Sequence, residues 1–300
     1  MSKILNLSKI FFYQPKNILP FSLSYFFPNL FNYKFYKSFD SLKLNNNYFI
    51  FSLDCDTTED LKYIPKLHDK LSRQNILPTY AVPGELLLKD VTLFKELKKK
   101  GAEFINHGYN LHTHYDTKNK IYLSTHFYKD YSDSQIEIDI KKGHDTITEI
   151  FNEQPIGFRT PHFGTLKSNK KKNLIDKVLT KLNYKFSTSN TPIDSFWNLP
   201  IYKNNKGLFE ISLTGSFDRP HIILDSWNFK FANNRYFAED DYFQQICKIK
   251  KYFNLKNTNI LINIYADPSH LKNWDSFFES IKLLQNFKNI NYSNLIEIIK

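Results

Sequence analysis

Cysteine is scarce: Cys55 and Cys247 are the two thiols in 300 residues, and they have no C-x-x-C spacing. This excludes a disulfide framework and a thiolate metal site, and it suits a reducing cytoplasm. Long hydrophobic runs are missing as well. The aromatic stretch from Phe11 to Tyr36 is interrupted by Gln14, Pro15, Lys16, Asn17, Pro20, Pro28 and Asn29, so it reads neither as a signal peptide nor as a membrane span. Basic blocks are limited to Lys98 to Lys100 and Lys170 to Lys172. The net charge of +11 therefore comes from scattered lysines, a solvated-surface pattern rather than a nucleic-acid footprint. Arginine is rare too, at Arg73, Arg159, Arg219 and Arg235, so an arginine inside a motif is not bulk composition. There is no internal repeat.

What is present is enough to fold. A chain with 41% hydrophobic and 17% aromatic residues buries a full core, as one large domain with an appendage. Residues 1–47, where lysine alternates with Phe, Tyr and Leu, form an N-terminal extension suited either to peripheral membrane contact or to packing on the main domain or a partner. Residues 48–300 are the main domain.

The domain is organised around one stretch. The apolar run Tyr48-Phe49-Ile50-Phe51 reads as a buried strand, and it breaks at Asp54 into Asp54-Cys55-Asp56-Thr57-Thr58-Glu59-Asp60. Asp54 and Asp56, one residue apart on extended backbone, point to the same side and repel unless a cation or an Arg lies between them, a metal being the obvious remedy. Asp56, Thr57 and Thr58 also suit the cap of a helix starting near Glu59.

Downstream, apolar spacing predicts helices over 59–74, 85–100, 132–153, 173–182, 240–253 and 274–287. Strands are expected at 77–82, 102–106, 157–162, 184–188 and 260–265, with a long loop from 107 to about 131 and an irregular stretch at 190–236 holding hairpin segments. The alternation implies a parallel sheet with helices outside it, an α/β class. Chemistry gathers at strand ends: Asp54/Asp56, then His107/His112/His114, then Arg159/Pro161/His162. A carboxylate with two imidazoles and open positions makes a hydrolytic zinc site.

On these motifs the chain resembles the polysaccharide deacetylases with a NodB-like domain, carbohydrate esterase family 4, over roughly residues 48–300. Asp54-Cys55-Asp56 resembles their acidic pair, Glu103-Phe104-Ile105-Asn106-His107 the first half of their second motif, and Arg159-Thr160-Pro161 their Arg-x-Pro. The resemblance implies an irregular (β/α) barrel of that type. It implies Asp54 as general base, Asp56 and His107 as metal ligands, and Arg159 as the group that orients Asp54, whose pKa the guanidinium and a divalent ion together lower. The second histidine is expected at position 111, which is Leu111; His112, one residue late, is taken as the third ligand, with His114 as runner-up. The family's late-strand histidine has Asp267 in its place, so the general acid is assigned to His270 or to Asp267. Asp225-Ser226-Trp227 is a loose counterpart of the acid that steers that histidine.

The expected function is removal of an N-acyl group, acetyl first, from an amino sugar of a glycan or a surface-polysaccharide or lipopolysaccharide precursor. The cofactor is a divalent metal, Zn2+ ahead of Co2+ or Ni2+. The alternatives are a catalytically impaired barrel that binds carbohydrate, and a hydrolase of non-sugar C–N bonds. No nucleic-acid partner is expected, and the sequence leaves oligomeric state open.

Overall fold

A computed structural model describes residues 15–162, 164–166, 169–232, 235–254 and 258–299. Residues 1–14 of the extension lie outside them. The rest of the extension is helical, as α1 (Ile18–Phe26) and α2 (Pro28–Lys37), followed by a 3-10 turn at Ser38–Leu42. The chain then runs through β1 (Tyr48–Asp54), α3 (Thr58–Leu61), α4 (Ile64–Ser72), β2 (Thr79–Val82), α5 (Gly84–Lys89), α6 (Val91–Lys99) and β3 (Glu103–Asn106). A hairpin, β4 (Thr113–Asp116) and β5 (Ile121–Ser124), precedes α7 (Asp133–Phe151), β6 (Gly157–Phe158), α8 (Asn169–Lys181) and β7 (Phe186–Asn190). The remainder is α9 (Pro192–Ser195), β8 (Ile201–Lys203), β9 (Phe209–Ser212), α10 (Asp241–Asn254), β10 (Leu261–Ala266), α11 (Asp275–Lys282), β11 (Lys288–Asn289) and α12 (Tyr292–Ile299).

The strands join in the order β10-β1-β2-β3-β6-β7-β9-β8, with β11 also on β1; every pairing in this sheet is parallel except that of β8 with β9. β1 is buried along its whole length, which is why it reads as an unbroken apolar run rather than an alternating one. Ile50 and Phe51 are inaccessible to solvent, and trimming Phe51 to Ala would cost about 3–5 kcal/mol. The sheet curls without closing by a strand ladder. Its two sides meet where the Thr214 backbone N–H donates to the Asn263 carbonyl at 2.8 Å and the Asn263 N–H to Thr214 Oγ1 at 2.8 Å. This is the irregular (β/α) half-barrel expected from the sequence.

Several expectations change in detail. The helix expected at 59–74 is two helices, because Pro65 cannot supply an N–H inside a helix and instead sits in the first turn of α4. The helix at 85–100 divides at Asp90, whose side chain accepts from the Leu93 N–H at 3.0 Å and caps α6. The strand at 157–162 is paired only at Gly157–Phe158. The loop at 107–131 holds the β4/β5 hairpin, and the tail beyond 287 holds β11 and α12.

The extension is not a separate unit. Phe31, Phe35, Tyr36, Phe39 and Leu44 belong to the same apolar core as β1, and Phe31 stacks on Phe196 at 4.8 Å between ring centres. Asn17 donates to Asp194 at 3.2 Å and Asn32 to the Phe217 carbonyl at 2.7 Å.

Candidate metal centre and active site

The C-terminal ends of β1, β3, β6 and β10 deliver Asp54, His107, Arg159 and Asp267 to one mouth, as parallel α/β sheets do. They line or underlie a cavity of about 290 Å3 that also meets Asp56, Thr113, Phe127, His162, Asp225, Trp227 and Tyr265.

The loop after β1 is fixed by Asp60. Its carboxylate accepts from the Asp56 N–H at 3.1 Å, the Thr57 N–H at 2.8 Å and the Ser269 N–H at 2.9 Å, joining the acidic loop to the turn after β10. Thr57, not Asp56, forms the capping box of α3, so Asp56 is left to face the cavity. Burial raises the Asp60 carboxyl to about 6 despite its hydrogen bonds to Ser269.

The loop after β3 starts at Gly108, with φ +82°, where a Cβ would strike the Asp139 carboxylate. Asp139, on α7, accepts from the Asn110 N–H at 3.0 Å and the Tyr128 hydroxyl at 2.6 Å, while Glu85 accepts from the Leu111 N–H at 3.1 Å. Pinned at both residues, the loop turns Leu111 away and puts His112 inside. Asp56, His107 and His112 each bring one ligand atom to within 4.8 Å of the others, the geometry of a metal site. His114 stands on the exposed side of β4 and does not join them.

The donor set fits a divalent cation. Asp56 Oδ1 lies 2.9 Å from His112 Nε2 and 3.4 Å from His107 Nε2, yet Oδ1 and the His112 Nε2 are buried without a hydrogen bond of acceptable angle. Lone pairs that converge without bonding one another are what a bound cation satisfies. His107 Nδ1 contacts the Arg159 carbonyl at 2.8 Å, which fixes the tautomer and leaves Nε2 for the metal. Burial by itself would lift the Asp56 carboxyl, but His112 and His107 outweigh it and hold it well below the usual range.

Asp54 lies beside this triad. Arg159 donates to it through Nη1, and its Oδ2 is 3.8 Å from His107 Nε2. Arg159 itself is inaccessible to solvent and held from below, donating to the Tyr292 hydroxyl at 2.7 Å. Tyr292 in turn donates to Asn263 Oδ1 at 2.7 Å. The sequence led us to expect a lowered Asp54 pKa. In the protein alone it is raised, because burial outweighs the attraction of Arg159 and His107. A cation held by Asp56, His107 and His112 would lower it.

The late-strand side differs. Asp267 faces the cavity, whereas His270 sits behind it, with Nδ1 3.1 Å from Asp267 Oδ2 and 2.9 Å from Ser226 Oγ. His270 is enclosed by the rings of Phe231, Tyr122 and Trp227 at 4.1, 4.5 and 6.1 Å, and burial lowers it to about 3. Burial and the carboxylates of Asp56, Asp60, Asp54 and Asp225 raise Asp267 well above the usual range. Asp225 does not steer His270; Ser226 does. Asp225 accepts from the Asn228 N–H at 2.6 Å and the Tyr265 hydroxyl at 3.1 Å, and burial raises it to about 7. His162, at φ +54°, stacks on Phe127 at 4.2 Å and ties the Thr125 carbonyl at 2.7 Å, so it braces the hairpin wall.

Asp139, Glu85, Asp60 and Tyr292 were not singled out from sequence. Asp139, Glu85 and Tyr292 act on other elements, and so does Asp60 at Ser269, where no local spacing marks the role; the capping box of Asp60 with Thr57 is the one local signal among them. Glu103, part of the second motif, points away from the cavity and accepts from the Tyr292 and Ser293 N–H groups at 3.0 and 2.8 Å, capping α12.

The fold is of the α/β class, a parallel half-barrel with carboxylates and imidazoles at its strand ends. Residues 52–186 match the polysaccharide deacetylase family, whose members are hydrolases acting on carbon–nitrogen bonds other than peptide bonds. No curated protein matches the chain. Among solved structures, a candidate polysaccharide deacetylase from Pseudomonas aeruginosa PAO1 superposes with a TM-score of 0.61 at 10% identity, over 84% of this chain and 89% of that one. Another from Mycobacterium smegmatis gives 0.59 at 14% identity, over 85% and 90%. A mutant family 4 pseudoenzyme with restored enzymatic activity, from Bacillus anthracis, gives 0.50 at 14%, over 85% and 68%. At these identities the likeness is one of fold.

Proposed function

We propose that the protein is a divalent-metal-dependent deacylase that hydrolyses the N-acetyl group of an amino sugar, in a glycan or a surface-polysaccharide or lipopolysaccharide precursor. One observation carries this reading: Asp56, His107 and His112 converge without bonding one another, beside a base already clamped by a buried arginine. Asp56, His107 and His112 would hold the ion, zinc first by its donor set. When bound, such an ion polarises the acyl carbonyl and makes water more acidic.

The chain's own residues do the rest. Asp54 takes a proton from the attacking water as its oxygen adds to the acyl carbon, and Arg159 keeps that carboxylate aimed. The C–N bond then breaks, and Asp267 gives its proton to the departing nitrogen, releasing amine and carboxylic acid. Asp267 suits this task because it faces the cavity with a raised pKa, whereas His270 is enclosed and neutral. His270 positions the Asp267 carboxyl.

Elemental analysis of the purified protein, with release of acetate from N-acetylglucosamine oligomers, tests the reading. About one divalent ion per chain is expected, lost together with acetate release in His107→Ala. A protein that takes up no zinc, cobalt or nickel sinks it. The placement of Asp267 where a histidine is expected favours a second reading, a barrel that binds the oligomer without cleaving it. Binding with no acetate from the metal-loaded protein would select that one.

A further inference from the structure

α1 carries apolar side chains on both sides. Pro20 and Ser24 are buried and Leu23 packs against the core, while Asn17, just before the helix, donates to Asp194 and Ser24 Oγ lies 3.1 Å from His221 Nδ1. Its outward side nevertheless carries Leu19 and Phe26, which the core does not use. α2 continues the face. It buries Phe31, Phe35 and Tyr36 and turns Leu30 and Tyr33 out, with Phe27 at the corner between the helices. Leu19, Phe26, Phe27, Leu30 and Tyr33 are each between 45% and 64% exposed, and together they form an apolar ridge of the sort that marks an interaction surface.

Charge says what covers it. Lys3, Lys9, Lys16, Lys34 and Lys37 fall in this part of the chain, and no Asp or Glu occurs before Asp40. Lys16, Lys34 and Lys37 are exposed along the ridge. An acid-free basic segment with protruding aromatic and leucine side chains is complementary to an anionic lipid surface. No described helix is long and apolar enough to cross a membrane, so contact is confined to the interface.

We propose that the α1/α2 ridge seats the protein on an anionic phospholipid bilayer. α1 also rests on the segment that walls the cavity: His221 packs on Phe21 at 4.9 Å, and Ile223, two residues on, lines the cavity with Asp225. Taken with the deacylase reading, on which this step rests, docking names a lipid-linked amino sugar as the substrate class.

The test is partition of the full chain between buffer and vesicles of phosphatidylglycerol mixed with phosphatidylcholine, against phosphatidylcholine alone. Binding roughly a hundredfold tighter to the anionic vesicles is expected, weakening with salt. The variant Phe26→Glu/Phe27→Glu should lose most of that binding while keeping its melting temperature and its acetate release from soluble oligomers. Equal or negligible partition to both vesicles, or an unaffected variant, overturns the docking proposal. So does a wild-type dimer that the variant dissolves. For the substrate, an N-acetylglucosaminyl lipid embedded in the same vesicles should be turned over at least roughly tenfold faster by wild type than by the variant. Equal rates overturn the lipid-linked assignment. Turnover of neither substrate by a metal-loaded wild type overturns the deacylase reading and leaves vesicle partition to be judged by itself.

Discussion

The two sides of the cavity treat buried carboxylates in opposite ways. On the early-strand side Asp54 meets the Arg159 guanidinium and Asp56 meets two imidazoles, so each carboxylate has a nitrogen partner. On the late-strand side Asp225 and Asp267 are as deeply buried but face carboxylates, a tyrosine, an asparagine and a neutral histidine. Asp56 on the first side is held ionised and Asp54 has a guanidinium to offset its burial, whereas Asp225 and Asp267 on the second have no such partner and are pushed up. Environments that push similar groups apart suit acid and base roles, and the proposed mechanism puts the base beside Arg159 and the acid on the turn after β10.

Removing the base breaks this comparison hardest. Asp54→Asn should lower kcat by roughly 10²- to 10⁴-fold while the protein keeps its bound metal, measured as acetate release beside metal content. Equal loss of metal would move Asp54 from base to ligand. On the opposite side, Asp267→Asn should cost roughly 10²-fold with N-acetyl sugars and much less with substrates whose leaving amine needs no proton. His270→Gln should keep KM and lower kcat less than Asp267→Asn, because it loosens the acid without removing it. If His270→Gln is the worse of the two, and activated substrates rescue it, their roles are exchanged.

The legible and illegible parts of the molecule divide along the same physical line. The acidic loop was readable because an apolar run stops abruptly at Asp54, a local signal. The parallel sheet with helices outside it followed from alternating periodicities within sixty residues, and the barrel type from the family resemblance. The β4/β5 hairpin was not readable: β5 is exposed almost throughout, so it carries no inside-outside alternation. α12 was missed because its N-terminus is capped by Glu103, almost two hundred residues earlier, and such a cap leaves no mark beside the helix. The choice between His112 and His114 depends on Asp139 and Glu85, which fix the loop from other elements. Only packing could make it.

Buried carboxylates on both sides also give a pH signature in the metal-free protein. Asp225 and Asp60 have folded pKa values raised to about 7 and about 6, above the ordinary carboxylate value. Below the unfolded pKa both are protonated in either state, and their contribution to stability is fully present. As pH rises through the folded values it is lost, since the unfolded chain releases protons more readily. Chelator-treated protein should therefore melt lower at pH 8 than at pH 5, and Asp225→Asn should flatten part of that slope. A wild type whose melting temperature climbs over this interval would show that the late-strand carboxylates are ionised after all.

The smallest expected effect tests the support under the early side. Tyr292 accepts from Arg159 and donates to Asn263, so Tyr292→Phe leaves a buried guanidinium N–H and a buried amide oxygen each short of a partner. The cost to stability should be about 1–3 kcal/mol. The guanidinium would still bond Asp54, so kcat should fall by less than tenfold with KM unchanged and the metal retained, as orientation loosens without loss of a reacting group. A Tyr292→Phe protein with wild-type stability would mean that water replaces the hydroxyl under Arg159. A loss of activity approaching that of Asp54→Asn would mean instead that the hydroxyl, and not the guanidinium alone, sets the aim of the base.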